Sequence, residues 1–208
     1  MNVQPVILEG PTIGLEPLAP EDAPRLWPRA ELELFQHTLD APRDASLEAF
    51  ADWVRLGLDK PDSLLFVILD RRTGEALGIT GYLYIRAPHR GLEIGRTWIP
   101  RPFQGTRVNP ESKLLLLRHA FEDLGAIRVQ FTTDRNNLQS QRAIEKLGAR
   151  RDGVLRKYQV RSNGTVRDTV VYSILEEEWP EVKAGLEERL GWNSGTGWAA
   201  KMRERSPH

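Results

Sequence analysis

Three groups of residues in this 208-residue chain have types and spacing suited to chemistry. The first lies in residues 102–121, PFQGTRVNPESKLLLLRHAF, where a loop runs into a strongly apolar helix. Asn109 can cap that helix, Pro110 fits its first position, and the preceding residues offer a run of backbone amides with Arg107 among them. Uncapped amide hydrogens and the positive end of the helix dipole point toward such a loop, where a phosphate or pyrophosphate could sit. The segment has only Gly105 as a glycine, so an ordinary strand-to-helix connection with a good cap also fits it. The second group is Asn137 and Ser140, at the mouth of a helix running to Leu147. Asn137 can cap and Ser140 falls in the first turn, which is also what a well-formed helix start alone requires. The third is Glu93, on an apolar strand just before the loop. Strict alternation puts Glu93, Gly95, Thr97 and Ile99 on one face and Leu92, Ile94, Arg96 and Trp98 on the other, and Gly95 leaves space for a ligand.

The elements that must position these groups follow from periodicity. Residues 7–18 carry short apolar positions broken by Gly10, Pro11, Gly14 and Pro17, which suggests a bent strand or a strand pair. A helix from about residue 20 is kept short by Pro24 and Pro28. Leu47, Phe50, Val54 and Leu58 recur at helical spacing, with Asp44 or Ser46 available as a cap. Residues 64–69, 77–85 and 92–99 read as three strands whose short connections imply antiparallel pairing. The loop and its helix follow, with Leu114, Leu117, Phe121 and Leu124 on the apolar face. A strand over 127–133 and a helix over 138–147, stopped by Gly148, come next. This strand-helix-strand order needs a crossover, so the strands it joins run parallel. Residues 154–160 and 165–175 flank Ser162, Asn163 and Gly164 as a hairpin, and a helix covers 179–190. The sheet is therefore mixed. One domain is expected over 1–190, with 191–208 a mobile tail in which Trp192 and Trp198 leave open a partner or homodimer contact.

Lys and Arg total 29 and so do Asp and Glu, so global charge offers no reason to expect nucleic acid. There is no cysteine, which excludes disulfides, cysteine-ligated zinc and a cysteine nucleophile. The four histidines, at 37, 89, 119 and 208, show no metal-ligand spacing, and no metal is expected. His119 reads as a core-edge residue. The N-terminus lacks a basic region followed by an apolar run, and no apolar stretch approaches the ~20 residues that span a bilayer. The expectation is a soluble, cytoplasmic protein without a membrane partner. A dinucleotide-binding fold is disfavoured, since no Gly-rich turn follows the first strand.

Four segments, LEIGRTWIPRPFQG, PESKLLLLRHAFEDLGAIRV, DRNNLQSQRAIEKLGARRDGVLRK and RDTVVYSILEEEWP, together with the element order, resemble the GNAT superfamily of acyl-CoA-dependent N-acyltransferases. Within it they resemble the RimJ/RimL-type protein N-terminal acetyltransferases, most specifically in the Asn and Ser three apart followed by Glu-Lys-Leu-Gly. The resemblance covers residues 7–190. It implies an α/β (α+β) fold with a mixed, mostly antiparallel central sheet, a splayed parallel strand pair, and helices on both faces.

The resemblance also implies roles. Pantetheine would lie between strands 92–99 and 127–133, with Trp98 and Ile99 offering main-chain hydrogen bonds and Asn137 a further contact. Gln104, Gly105, Thr106, Arg107, Val108 and Asn109 would cradle the pyrophosphate. The family pattern usually has a second glycine where Arg107 stands and a small residue where Asn109 stands; Arg107 would compensate by charge-assisted contact with phosphate. Glu93 is the candidate base, against the alternative of a charged residue on a solvated or helix-covered face. Ser140 is the candidate acid toward a developing thiolate, since the tyrosine many members carry four residues later is Ile144 here. Tyr158 and Tyr172 could line the acceptor cleft, although aromatic residues in strands more often pack in the core.

The implied activity is acetyl-CoA-dependent N-acetylation of a protein N-terminus or a small primary amine, by direct attack in a ternary complex. The competing readings are an acyl-CoA-binding module of this fold with little or no turnover, and a structural or oligomerisation protein.

Overall fold

The computed structural model describes residues 1–192 and the backbone of a strand at Met202–Glu204. Two short strands, β1 (Val6–Glu9) and β2 (Ile13–Pro17), form the hairpin expected of the first apolar segment. The prolines then break the next stretch into a 3-10 turn at Pro20–Asp22, a single helical turn α1 (Ala23–Leu26), and further 3-10 turns at Trp27–Arg29 and Leu32–Phe35. Helix α2 (Leu47–Leu58) starts at Ser46, whose side chain accepts from the Ala49 amide at 3.1 Å. Strands β3 (Leu64–Asp70), β4 (Ala76–Arg86) and β5 (Gly91–Trp98) form an antiparallel meander.

Helix α3 (Val108–Arg118) continues as a π-helical stretch at His119–Asp123. It crosses over to β6 (Arg128–Asp134), which pairs in parallel with β5. After α4 (Leu138–Glu145), the hairpin β7 (Arg150–Val160) and β8 (Val166–Leu175) packs β8 against β6. Helix α5 (Trp179–Leu190) follows. The sheet order is β7-β8-β6-β5-β4-β3-β2-β1-β9, where β9 is Met202–Glu204 on the outer edge of β1. That strand falls where a tail without regular structure was expected. Trp192 packs against the core; Trp198 lies outside the described residues. Among the described residues, no helix is long and apolar enough to cross a membrane.

Helices cover both faces, and each buries its own core. On one face Leu114–Leu117 of α3, Ile144 of α4 and Leu186 of α5 pack on Leu15, Phe66, Tyr82, Ile94, Phe131 and Tyr172. On the other, Leu26, Phe50, Trp53 and Val54 pack on Leu65, Val67, Ile79 and Trp98. This second layer reaches only as far as β5, so the same face of β5, β6 and β8 has no helix over it.

Two expectations need correcting. Helix α3 begins at Val108, so Asn109 is not its cap and Pro110 is not its first residue. The Thr106 hydroxyl accepts from the Val108 amide at 3.3 Å and takes that place, while the Asn109 carbonyl accepts from Ser112. Proline remains tolerated because first-turn amides lack helical partners. Alternation along β5 also fails part-way. Gly95 faces Gly81 but Trp98 faces Ile79, so one extra residue is accommodated where Arg96 adopts φ +48°. Beyond this bulge the faces exchange: Trp98 joins the core under α2, on the Glu93 side, and Thr97 turns toward α3. Arg96 secures the bulge through an ion pair with Asp40 at 2.9 Å and a bond to the Trp53 carbonyl at 2.5 Å.

Candidate active site

The uncovered part of the sheet is a cleft of about 540 Å³ whose floor includes Glu93, Gln130, Thr132 and Val171. Tyr84 and Arg86 from β4 and Leu155, Tyr158 and Gln159 from β7 form its sides. Glu93 is buried, with 5% of its surface exposed. Its carboxylate accepts from Thr132 Oγ1 at 2.7 Å and Gln130 Nε2 at 3.1 Å. Burial pushes the Glu93 carboxyl above its ordinary range, and these two bonds with the fields of Arg167 and Arg86 offset only part of that. A carboxylate so placed is poised to take a proton from a bound ammonium group. The alternative of a solvated or helix-covered Glu93 is therefore set aside.

The parallel pairing of β5 and β6 extends over Gly91↔Arg128, Leu92↔Val129 and Glu93↔Gln130, and there it ends. Beyond it β5 stays on β4 and β6 stays on β8, so the facing edges part at Glu93. Their free main-chain groups suit an extended, amide-bearing arm. Two helix starts stand over this gap. Asn137 caps α4, its Oδ1 accepting from the Ser140 amide at 3.0 Å, and Ser140 is half-buried in the first turn. Gln139 Nε2 reaches Gln104 Oε1 at 3.3 Å, joining the start of α4 to the loop before α3.

The other expected loop residues are arranged less as foreseen. Gln104 Nε2 donates to the Ile99 carbonyl at 2.8 Å, so that carbonyl already has a donor. Arg107 donates to the Leu190 carbonyl at 3.0 Å and faces Glu111 at 3.4 Å, so its guanidinium ties the loop to α5. Gly105 is exposed at φ +72°, a conformation that favours glycine, and Thr106 is exposed while Val108 is buried. Trp98 is a core residue stacked on Phe35 at 5.9 Å, which leaves only its main chain for a ligand. At Gly95 the space is taken: a Cβ there would stand 2.8 Å from Leu83 Cδ1 and 3.3 Å from Glu93 Oε1. The glycine lets Leu83 and Glu93 close together instead of making room for a ligand.

The tyrosines separate. Tyr158 lines the cleft, whereas Tyr172 is buried on the opposite face and bonded to Glu145. His119 is a core-edge residue, bonded to Asp123 at 2.9 Å and stacked on Tyr82.

Sequence reasoning missed Gln130 and Thr132 as partners of Glu93. Their alternation along 127–133 was legible, but the register that sets Gln130 beside Glu93 is not a local property. It also missed Lys113, buried in α3, whose Nζ bonds to Thr80 Oγ1 at 2.7 Å and Thr97 Oγ1 at 2.6 Å. A lone lysine in an apolar helix run was the available signal.

A family model of the acetyltransferase (GNAT) domain matches residues 12–150. The chain belongs to the GNAT acetyltransferase family. A GNAT crystal structure from T. thermophilus, provisionally described as an acetyltransferase, is 43% identical, covers 91% of this chain and 100% of its own, and superposes with a TM-score of 0.86. The uncharacterized N-acetyltransferase YoaA of Bacillus subtilis is 36% identical over 107 residues, 51% of this chain and 59% of YoaA. The chain thus spans somewhat over half the length of the curated relatives it matches. The GNAT fold is also that of Mycobacterium smegmatis RimJ in complex with CoA-disulfide, at 21% identity and TM-score 0.71 over 91% of this chain and 94% of that one.

Proposed function

We propose that the protein is an acetyl-CoA-dependent N-acetyltransferase acting on a protein N-terminus or a small primary amine by direct attack in a ternary complex. The observation that carries this reading is the buried Glu93 carboxylate, on the cleft floor where β5 and β6 part. Acetyl-CoA supplies the acetyl group as an activated thioester. The edges of β5 and β6 beyond Glu93 and Gln130 suit its pantetheine arm, with the main chain of Trp98 and Ile99 and the Asn137 side chain within the gap. The backbone of 104–109 and the start of α3 suit its pyrophosphate. Glu93 accepts the proton of the acceptor ammonium, and Ser140, at the positive end of α4, donates toward the departing sulfur. Such a base need not be strong. Exposing the neutral form of an α-amine of pKa about 8 costs about 1.4 kcal/mol at pH 7, against about 4.6 kcal/mol for lysine.

The RimJ relationship supports a protein N-terminus among the acceptors. Two observations favour the non-catalytic alternative: Gln104 occupies the Ile99 carbonyl, and Arg107 is tied to Leu190 and Glu111. Thiol release from acetyl-CoA, measured with mixed amines beside calorimetric CoA binding, separates the readings. Amine-dependent release supports the enzyme. CoA binding without release supports the module, and failure to bind CoA removes both.

A further inference from the structure

The wall of the cleft holds a buried cation that the proposed chemistry does not use. Arg167, on β8, is 6% exposed, and its Nε has no hydrogen-bond partner among the described residues. No carboxylate among those residues lies within ion-pair distance of it. The acids whose fields it feels are engaged elsewhere: Asp134 is ion-paired with Arg161 and faces His37 at 3.5 Å, and Glu93 is held by Thr132 and Gln130. Leaving a guanidinium buried without a partner is costly, because lost hydration is not replaced.

Its position gives that cost a use. β8 pairs with β6 in unbroken register, so Arg167 shares a face with Thr169, Val171 and Ser173. Val171 is part of the cleft floor, and Gln159, opposite Arg167 on β7, is part of its side. The charges coupled to Arg167 include Glu93 and Tyr84, which both line the cleft. The acids elsewhere along it do not neutralise Arg167, since Asp152 is bound by Arg128 at 2.6 Å and Asp62 stands at the exposed rim.

We propose that Arg167 forms an anion subsite in the cleft wall and that the acceptor is a primary amine carrying a carboxylate. The ammonium is received at Glu93 and the carboxylate at the guanidinium, whose fork geometry suits it. This deepens the acetyltransferase reading and rests on it for the identity of the site. The carboxylate can come from a free amino acid or from an acidic residue at a peptide N-terminus.

The test is steady-state kinetics with acetyl-CoA, using glycine, aspartate and glutamate against their α-amides, and peptides beginning with Asp or Glu against Asn or Gln. The expected result is a preference of about tenfold or more in kcat/KM for the carboxylate member of at least one set. The set that shows it names the source. Arg167→Met should raise KM for those acceptors about tenfold or more with little change in kcat, leave the amides unaffected, and be partly rescued by Arg167→Lys. Equal kcat/KM for acids and amides in the wild type overturns the inference, as does equal loss toward both in the methionine variant. If that variant fails to fold, the wild-type comparison decides alone. If no amine is turned over, calorimetry of the same compounds with the CoA-loaded protein decides. Carboxylate-selective binding lost in Arg167→Lys or Arg167→Met then supports the subsite while rejecting turnover, and absence of selective binding rejects the subsite.

Discussion

Thr132 Oγ1 donates to Glu93 Oε1 at 2.7 Å, across the two parallel strands just where their pairing ends. The bond fixes the carboxylate at the mouth of the gap and favours its charged form, against a burial that favours the neutral one.

Removing the carboxylate tests the base. Glu93→Gln keeps the shape and a hydrogen-bonding group, and should lower kcat by roughly 10²–10⁴-fold while CoA affinity stays within a few-fold. The folded pKa of Glu93 is raised, so its contribution to stability is greatest below the unfolded value and is lost as pH rises through the folded one. The glutamine variant should therefore melt higher than the wild type at neutral pH. Thiol release, CoA calorimetry and thermal melts at pH 4 and 7.5 check this.

Thr132→Val tests the positioning bond. Loss of a donor to the charged form raises the Glu93 pKa further, so the ascending limb of the kcat/KM profile should move to higher pH. A merely structural role for Thr132 would lower activity at every pH without moving the limb.

Ser140→Ala should reduce kcat about tenfold or more with little effect on CoA binding, because the hydroxyl is assigned to the departing sulfur. Asn137→Ala differs: it removes the cap on the Ser140 amide and should cost about 1 kcal/mol of stability together with some CoA affinity. Denaturant melts and binding titrations on the pair distinguish these outcomes; equal loss of turnover and binding in Ser140→Ala removes it from the catalytic list.

Lys113 sets a pH dependence of stability. Its ammonium is buried against two threonine hydroxyls, and burial lowers its pKa to about 7. Unfolding restores the ordinary value near 10.5, so the unfolded chain binds the extra proton between those limits and stability rises with pH across them. The penalty carried at pH 7 is on the order of 4 kcal/mol. Lys113→Met should raise stability at pH 7 and flatten its rise toward pH 10, while Thr80 and Thr97 remain bonded to each other at 3.0 Å. Urea melts from pH 6.5 to 10 measure both.

Much of this protein was determined by local pattern. The apolar spacing around Phe50 and Val54, the cap at Ser46, the cap at Asn137 with Ser140 after it, the hairpin about Gly164 and the helix over 179–190 all depend on neighbours a few residues away. So did the mixed sheet, since a strand-helix-strand order admits few connections. What tertiary structure decided is relational. The bulge at Arg96, which sends Thr97 and Trp98 to the faces opposite those expected, is secured by Asp40 and Trp53, distant in sequence. Thr106 displaces Asn109 as the start of α3, and Gln104 and Arg107 spend their side chains on Ile99 and Leu190. The bonding of Glu93, the burial of Lys113 and the unpaired Arg167 follow from the register of β5, β6 and β8 and from where the helices stop covering them. Charge state and hydrogen bonding depend on desolvation and on distances between remote segments, and those exist only once the strands have paired.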